Sequence, residues 1–431
     1  MNPQAEELNV VLKAEGRVAL KLLSERGKSI FFPRKGLVAQ GLEARGKAIN
    51  ASIGEAKEDN GSPLRLMSLA NLVELDPAQI FTYAPSFGEP ALRDKWQAMI
   101  REKNPSLGNT EISRPVVTNA LTHGLSVAAY LFANEGDEII LPEHYWGNYR
   151  LVFSEACGAV LKTFPTFTEG GRNAEFNISG LSAQLKSPGE KKILLFNFPN
   201  NPTGYTITEQ EAENIVEAIH SAAQSGKTIL VITDDAYFGL VYKNGVFTES
   251  LFARFANLHE NILACKLDGA TKEDYAWGFR VGFITFAGKG LSKKALAVLE
   301  DKAAGRVRGS ISNTSHLSQS LLLAAYQDAS YKGEKERARK LLKSRFEAVA
   351  AELERHEEYK EEFEALPFNS GYFMCVKLKK GDAEAVRQRL LSRYDTGVIA
   401  LGSLIRVAYS CLPQNQIAAL FANLYAACRE L

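Results

Sequence analysis

An α/β fold built on a large, mostly parallel sheet is what this sequence predicts, and three observations carry that expectation. Short β-branched apolar runs alternate with amphipathic helical patterns through the middle of the chain, the alternation that produces parallel sheets covered by helices. The runs are apolar on both faces, as strands are when helices cover a sheet from either side. A chain of 431 residues hides about 75% of the surface it exposes when unfolded, so a sizeable core needs no staples.

Taken in order, strands are expected at 115–118, 138–141, 159–164, 192–198, 228–233, 261–267 and 279–286, with helices at 122–134, at 208–225 and in the run after Trp146. These define a large domain at 63–308. The last third reads as α+β: charged helical patterns at 312–328 and 333–356, then 371–378, a helix from Asp382, a strand at 405–409 and a final helix from Gln414. The first sixty-odd residues, with a helical stretch and a strand-like 48–53, are too few to form a core alone. A small domain made of 1–62 and 309–431 is therefore expected.

Lys+Arg total 51 against 50 Asp+Glu, a formal charge of +1 with the signs interspersed. Such a chain has no field to hold nucleic acid or a membrane surface. Cys157, Cys265, Cys375, Cys411 and Cys428 are scattered, without Cys-x-x-Cys or paired-histidine spacing for zinc, and read as buried thiols in a reducing compartment. The N-terminal stretch lacks a signal-like apolar region, and no apolar run approaches the about 20 residues of a membrane helix. A cytoplasmic protein is expected, with no metal, nucleic-acid or membrane partner.

The strongest local signal is Phe196-Asn197-Phe198-Pro199-Asn200-Asn201-Pro202-Thr203-Gly204, after an apolar strand and before a helix. Asn-Pro and Thr-Gly are ordinary turn dipeptides, yet this loop holds more turn chemistry than a connection needs. It also lies at a strand's carboxyl end, where open α/β sheets bind ligands. Thr233-Asp234-Asp235-Ala236-Tyr237 follows a second strand in the same way. Asp268-Gly269-Ala270-Thr271-Lys272 ends a third, with Arg280 eight positions on. One carboxylate there could be a helix cap, and one lysine a surface residue. Together they suit a carbonyl-capturing amine beside an anion clamp.

This ordered set, closed by Ile405-Arg406-Val407, resembles the class I/II aminotransferases, pyridoxal 5′-phosphate enzymes of fold type I. The likeness is nearest to the aspartate and aromatic aminotransferase branch. It extends to Ile49–Ala56, Tyr83-Ala84-Pro85 with Gly88, and Tyr145-Trp146-Gly147-Asn148-Tyr149, so it covers nearly the whole chain. It implies a seven-stranded large domain, a homodimer with shared sites, and ping-pong transfer of an amino group from an amino acid to a 2-oxo acid. Aspartate, glutamate and aromatic amino acids are the candidate donors.

The resemblance assigns Lys272 to the cofactor Schiff base and to proton transfer, and Asp234 to the pyridine nitrogen. Tyr237 and Asn201 fall to the ring oxygen, and Trp146 to the ring face. Arg280, Thr122, Leu121 and Ala120, with Tyr83 from a partner subunit, would hold the phosphate. Arg406 would fork onto the substrate carboxylate, Gly54 would let the backbone approach it, and Arg308, or its neighbour Arg306, would read a distal carboxylate. Gly269 stands where the branch usually has a phosphate-binding serine, and the loop 119–124 lacks the usual early glycine. Tyr149 replaces the histidine behind the cofactor, which leaves a pairing with Asp234 open. The same lysine, aspartate and arginine also serve lyases and decarboxylases of this fold. A cofactor-binding sensor is the other alternative, although no helix-turn-helix pattern is appended.

Overall fold

The structure, a computed structural model, describes residues 2–15, 23, 28, 29, 37–70 and 75–430. In chain order the strands are β1 (Ile49–Asn50), β2 (Val116–Thr118), β3 (Glu138–Pro142), β4 (Val160–Phe164), β5 (Lys191–Phe196), β6 (Thr228–Asp234), β7 (Ile262–Gly269), β8 (Gly282–Ala287), β9 (Phe363–Ala365), β10 (Met374–Leu378), β11 (Thr396–Gly397), β12 (Ile399–Leu401) and β13 (Leu404–Val407). The helices of seven residues or more are α1 (Pro3–Glu15), α2 (Leu37–Glu43), α3 (Pro90–Lys103), α4 (Ala120–Phe132), α5 (Ile178–Lys186), α6 (Glu209–Gln224), α7 (Lys293–Ile311), α8 (His316–Gln327), α9 (Tyr331–Arg355), α10 (Ala383–Arg393) and α11 (Ile417–Arg429).

Seven strands form one sheet in the order β2-β8-β7-β6-β5-β3-β4, and β8 alone runs antiparallel to its neighbours. Its central strands separate two cores by simple alternation. Ile229 and Val231 of β6 join one apolar cluster and Leu230 and Ile232 the other; on β5, Leu194 and Phe196 oppose Ile193 and Leu195 in the same way. Each such side chain contributes about 1.5–3 kcal/mol when fully buried, which makes a one-residue register slip prohibitive. The expectation of strands covered on both faces fails at β4. Only Phe164 of that strand is buried, because β4 is the sheet edge where helix cover runs out.

Two further expectations shift. The run after Trp146 is a single π-helical turn, Arg150–Glu155. Arg280 precedes the last strand instead of lying on it. The chain must reverse direction between β7 and antiparallel β8, and does so through a 3-10 turn, Trp277–Phe279, and a left-handed Arg280 at φ 56°. The start of α6 is as its sequence dictates: Thr208 Oγ1 accepts from Glu211 N at 3.2 Å, and Glu211 Oε2 accepts from Thr208 N at 2.7 Å, a reciprocal cap.

Beyond the sheet, β12-β13-β10-β9 form an antiparallel layer. Residues of the 37–50 segment pack on this C-terminal part. Strand β1 pairs with β11, and the Gln40 amide on α2 clamps Ala400, accepting from its N at 2.7 Å and donating to its O at 3.0 Å. Strands β9, β11 and β12 are too short to leave a periodic trace in the sequence. Cys265, Cys375, Cys411 and Cys428 are buried and Cys157 is half-buried. Among the described residues no helix is long and apolar enough to cross a membrane.

Candidate active site

Parallel register brings the carboxyl ends of β5, β6 and β7 to one edge: Phe196 lies opposite Thr233, and Asp234 opposite Leu267. The loops that leave these ends line a cavity of about 370 Å³, which α4, β13 and the segment carrying Ser52 and Gly54 close from the other sides. Ligands sit at such an edge because the backbone groups and loop side chains there are not used by the sheet.

Asp234 is buried with every near contact accounted for. Its Oδ2 accepts from the Tyr149 hydroxyl at 2.7 Å and its Oδ1 from the Ala236 amide at 3.1 Å. Asn197 ties the two loops together, donating to the Asp234 carbonyl at 2.8 Å and accepting from Asn201 N at 2.9 Å. Burial pushes the Asp234 carboxyl above its ordinary range, opposed by the Tyr149 hydrogen bond and the charge of Lys272. Burial also drives the Tyr149 phenol upward, so it remains a donor at any working pH. The pairing that sequence left open is thus made, by a hydroxyl in place of an imidazole. Trp146 meets the Tyr149 ring edge-on at 5.8 Å.

Lys272 sits on the short helix Ala270–Glu273 directly after β7. Among the described residues its Nζ has no hydrogen-bond acceptor, and it lies 5.1 Å from the Tyr237 ring centroid. Burial lowers its pKa, Asp234 opposes that fall and Arg280 adds to it. The result is an amine biased toward its neutral, nucleophilic form. The turn beneath it is anchored: Glu273 Oε1 accepts from Lys103 at 2.7 Å and Lys335 at 3.0 Å, and Asp274 accepts from the hydroxyls of Tyr326 at 2.7 Å and Tyr331 at 2.6 Å.

Arg406, 3% exposed, projects from β13 into the cavity. It donates to Asn201 Oδ1 at 3.2 Å and to the Ser52 carbonyl at 3.1 Å, and its guanidinium lies 4.3 Å over the Phe373 ring. Its Nε is buried without an acceptor, so the site holds an unfilled donor suited to a carboxylate. Asn201 is also bonded to the Tyr237 hydroxyl.

Across the cavity, Ala120, Leu121 and Thr122 present the start of α4, whose unpaired amides attract anions. This helix is brought in close by Gly282, and Gly269 lets β7 close onto the start of β8 beneath it. A Cβ on Gly282 would lie 2.7 Å from the Ala120 carbonyl carbon, and one on Gly269 only 2.6 Å from the Val281 oxygen. Gly269 is therefore a packing requirement, and the serine that resemblance anticipated has no room. Ala120 itself holds φ 61°, the strained left-handed region in which the missing early glycine would be at ease. Arg280 is exposed at the cavity rim, donating to the Trp277 carbonyl at 3.2 Å, and the Thr271 hydroxyl is buried without a partner.

Every candidate residue from the sequence lines this cavity except Tyr83, Arg308 and its neighbour Arg306. Tyr83 is 88% exposed, and Arg308 on α7 donates to Ser312 Oγ at 2.8 Å. Arg306 stacks on Tyr130. Sequence reasoning did not single out Asn197, Ser52 or Phe373. Asn197 stands inside the conspicuous loop and could have been found there. The other two come from remote segments with no local signature.

The profile of the family described as aminotransferase class I and II matches residues 47–424. An aspartate aminotransferase of Bacillus sp. (strain YM-2) is 27% identical over 74% of this chain and 73% of its own. A probable aspartate/prephenate aminotransferase of Rickettsia bellii is 26% identical over 63% of this chain and 64% of its own. Among solved structures, an aminotransferase from Anaerococcus prevotii superposes with a TM-score of 0.79 at 24% identity, covering 99% of this chain and 97% of its own. Thermus thermophilus aspartate aminotransferase with maleate gives 0.74 at 18% identity, covering 94% and 99%. At these identities the superpositions show the shared fold.

Proposed function

The chain belongs to the aminotransferase class I and II family and is a pyridoxal 5′-phosphate-dependent aminotransferase of fold type I; from that premise we propose that the cavity around Lys272 is its active site. The observation that carries this is the opposition of a half-buried amine without an acceptor among the described residues, Lys272 Nζ, to a buried carboxylate, Asp234, held by two donors. The residues present fit the cofactor. An unpaired buried hydroxyl on Thr271, an unfilled Nε on Arg406 and a glycine-seated helix start surround the space it would need.

When bound, the cofactor supplies an aldehyde that takes up amino groups and a ring that accepts the electrons freed at the substrate Cα. Lys272 would anchor the aldehyde end, and its neutral Nζ, once free, would be the base placed to take the Cα proton. Asp234 would keep the ring nitrogen protonated, with Tyr149 and Ala236 fixing that carboxylate's direction. Tyr237 and Asn201 would hold the ring oxygen, and Trp146 would offer a flat wall to the ring. Leu121, Thr122, Ala120 and Arg280 would hold the phosphate, completed by Tyr83 from a second copy of the chain. Arg406 forks onto the substrate carboxylate beside Gly54, in a water-poor corner that strengthens the charge pair.

We further assign residues 63–308 to a large cofactor domain and 1–62 with 309–431 to a small one, in a cytoplasmic homodimer. The relatives' names favour an acidic donor, and Arg308, which does not line its own cavity, would read the distal carboxylate across the dimer. The deciding experiment is a visible spectrum of the purified protein on adding glutamate, aspartate and aromatic amino acids in turn. The bound-cofactor band should convert and be restored by a 2-oxo acid. A cofactor-loaded protein that no amino acid converts would defeat the assignment. Arg308→Ala should weaken dicarboxylic donors far more than aromatic ones, and equal losses would remove it from specificity.

A further inference from the structure

A second cavity, of about 550 Å³, lies behind the Lys272 turn, within the usual range of about 300–1,000 Å³ for small-molecule sites. It shares no lining residue with the first, yet adjacent residues divide between the two: Tyr237 and Lys272 line the first, Phe238 and Glu273 the second. Two strand-end loops thus form the partition.

The second cavity is chemically particular. Phe238, Tyr275, Tyr326 and Tyr331 give it buried aromatic walls. The hydroxyls of Tyr326 and Tyr331 are already committed to Asp274, so these residues offer ring surface. Glu273 is buried and charged. Burial alone would raise its pKa, but Lys103 and Lys335 hold it at about 2. Both ammoniums bind the same oxygen, Oε1, and Oε2 is left with no donor. A buried carboxylate oxygen without a donor is unfavourable, and a donor from a ligand would relieve it. At the mouth, Lys332 is exposed and shared with Glu102 at 2.5 Å, and the half-buried Lys95 makes no ion pair among the described residues.

We propose that this cavity binds a free α-amino acid with an aromatic side chain. The ring lies among the tyrosine and phenylalanine walls, the ammonium turns toward Glu273, and the carboxylate meets Lys95 and Lys332 at the mouth. Aromatic walls reward a flat apolar body, and the opposed acceptor and cations select a zwitterion over either ion alone. Because Glu273 immediately follows Lys272, an occupant that recruits its carboxylate alters the seat of the catalytic amine. The site is thus a regulatory one, and its existence is independent of the chemistry in the first cavity.

Calorimetric titration of L-phenylalanine into the full-length protein tests this. Ala329→Trp, an exposed position that would fill the mouth, and the surface change Lys332→Glu should each weaken binding at least about tenfold. Arg406→Ala, in the first cavity, should leave it within about twofold. Emission of Trp96 should report the event and be lost in Trp96→Phe, since its ring lies 5.8 Å from that of Tyr326 and 4.3 Å from Lys103 Nζ. Phenylpyruvate, lacking the ammonium, should bind at least about tenfold more weakly. No binding, or binding lost in Arg406→Ala and kept in Ala329→Trp, overturns the second site. Equal affinity for phenylpyruvate overturns the part given to Glu273. None of these results bears on the spectral test of transamination.

Discussion

Tyr149 shows how much a single side chain can carry. Its hydroxyl is the side-chain donor to Asp234 Oδ2, in a space where losing a charged hydrogen bond costs about 1.5–3 kcal/mol. Tyr149→Phe should therefore weaken cofactor binding by about tenfold or more and, because the bond is already made without the cofactor, also lower the melting temperature of the cofactor-free protein, as measured by cofactor titration and thermal unfolding. A second prediction concerns Lys272. Only the neutral amine attacks an aldehyde, and burial has lowered its pKa from the usual 10.5 while Asp234 pulls it back up. The rate of cofactor capture should rise with pH and level off below the pH at which a free lysine would. Asp234→Asn removes the opposing charge, so its plateau should come at still lower pH; a profile displaced to higher pH would contradict the coupling. Ala120 supplies a third. It pays for φ 61° with steric strain, and Ala120→Gly should stabilise the protein by about 0.5–1 kcal/mol in chemical denaturation.

Elements matter here through how closely their ends approach. The start of α4 can sit at the sheet edge because β8 meets its backbone with Gly282, while Gly269 lets β7 close onto the start of β8, where a Cβ would collide with backbone. Restoring the branch serine, Gly269→Ser, should destabilise the fold by about 2 kcal/mol and reduce phosphate-dependent cofactor affinity, because β7 and β8 must part and shift the Gly282 seat of α4. Improved affinity with unchanged stability would refute this. The positions of β2 to β8 were legible, since each is a short, mostly apolar run bounded by turn residues, whereas their order in the sheet was not. Strands β9, β11 and β12 were not, because two or three residues contain no period. The position of Arg280 off the strand depended on β8 running antiparallel, which periodicity does not encode.

At the scale of the molecule, the Lys272 turn is tied to distant helices. Lys103 comes from α3, Tyr326 from α8, and Tyr331 and Lys335 from α9, and all converge on Glu273 and Asp274. The acid limb of stability should reveal this. Glu273 has its pKa lowered from 4.5 to about 2, so its contribution is complete above about pH 4.5 and lost as pH falls through about 2. The stability gap between the native protein and Glu273→Gln should be wide near neutrality and close at the acid end, followed by denaturation at a series of pH values. A gap independent of pH would show that the carboxylate's charge is not what holds the turn.

The strands, the loops at their ends and most of the residues that line the cavity were readable from the chain alone, because short apolar runs mark strands and turn-rich motifs mark where they end. So were the departures at Tyr149, Gly269 and the loop 119–124. What those departures mean emerged from the folded arrangement: Tyr149 does reach Asp234, Gly269 is demanded by a backbone contact, and Ser52, Phe373 and Arg406 close the cavity from segments far away in the chain. The reason is physical. Strands and turns arise from neighbours in sequence, whereas partners such as Glu273 with Lys103 and Lys335 are chosen by packing across the fold, which no local pattern records.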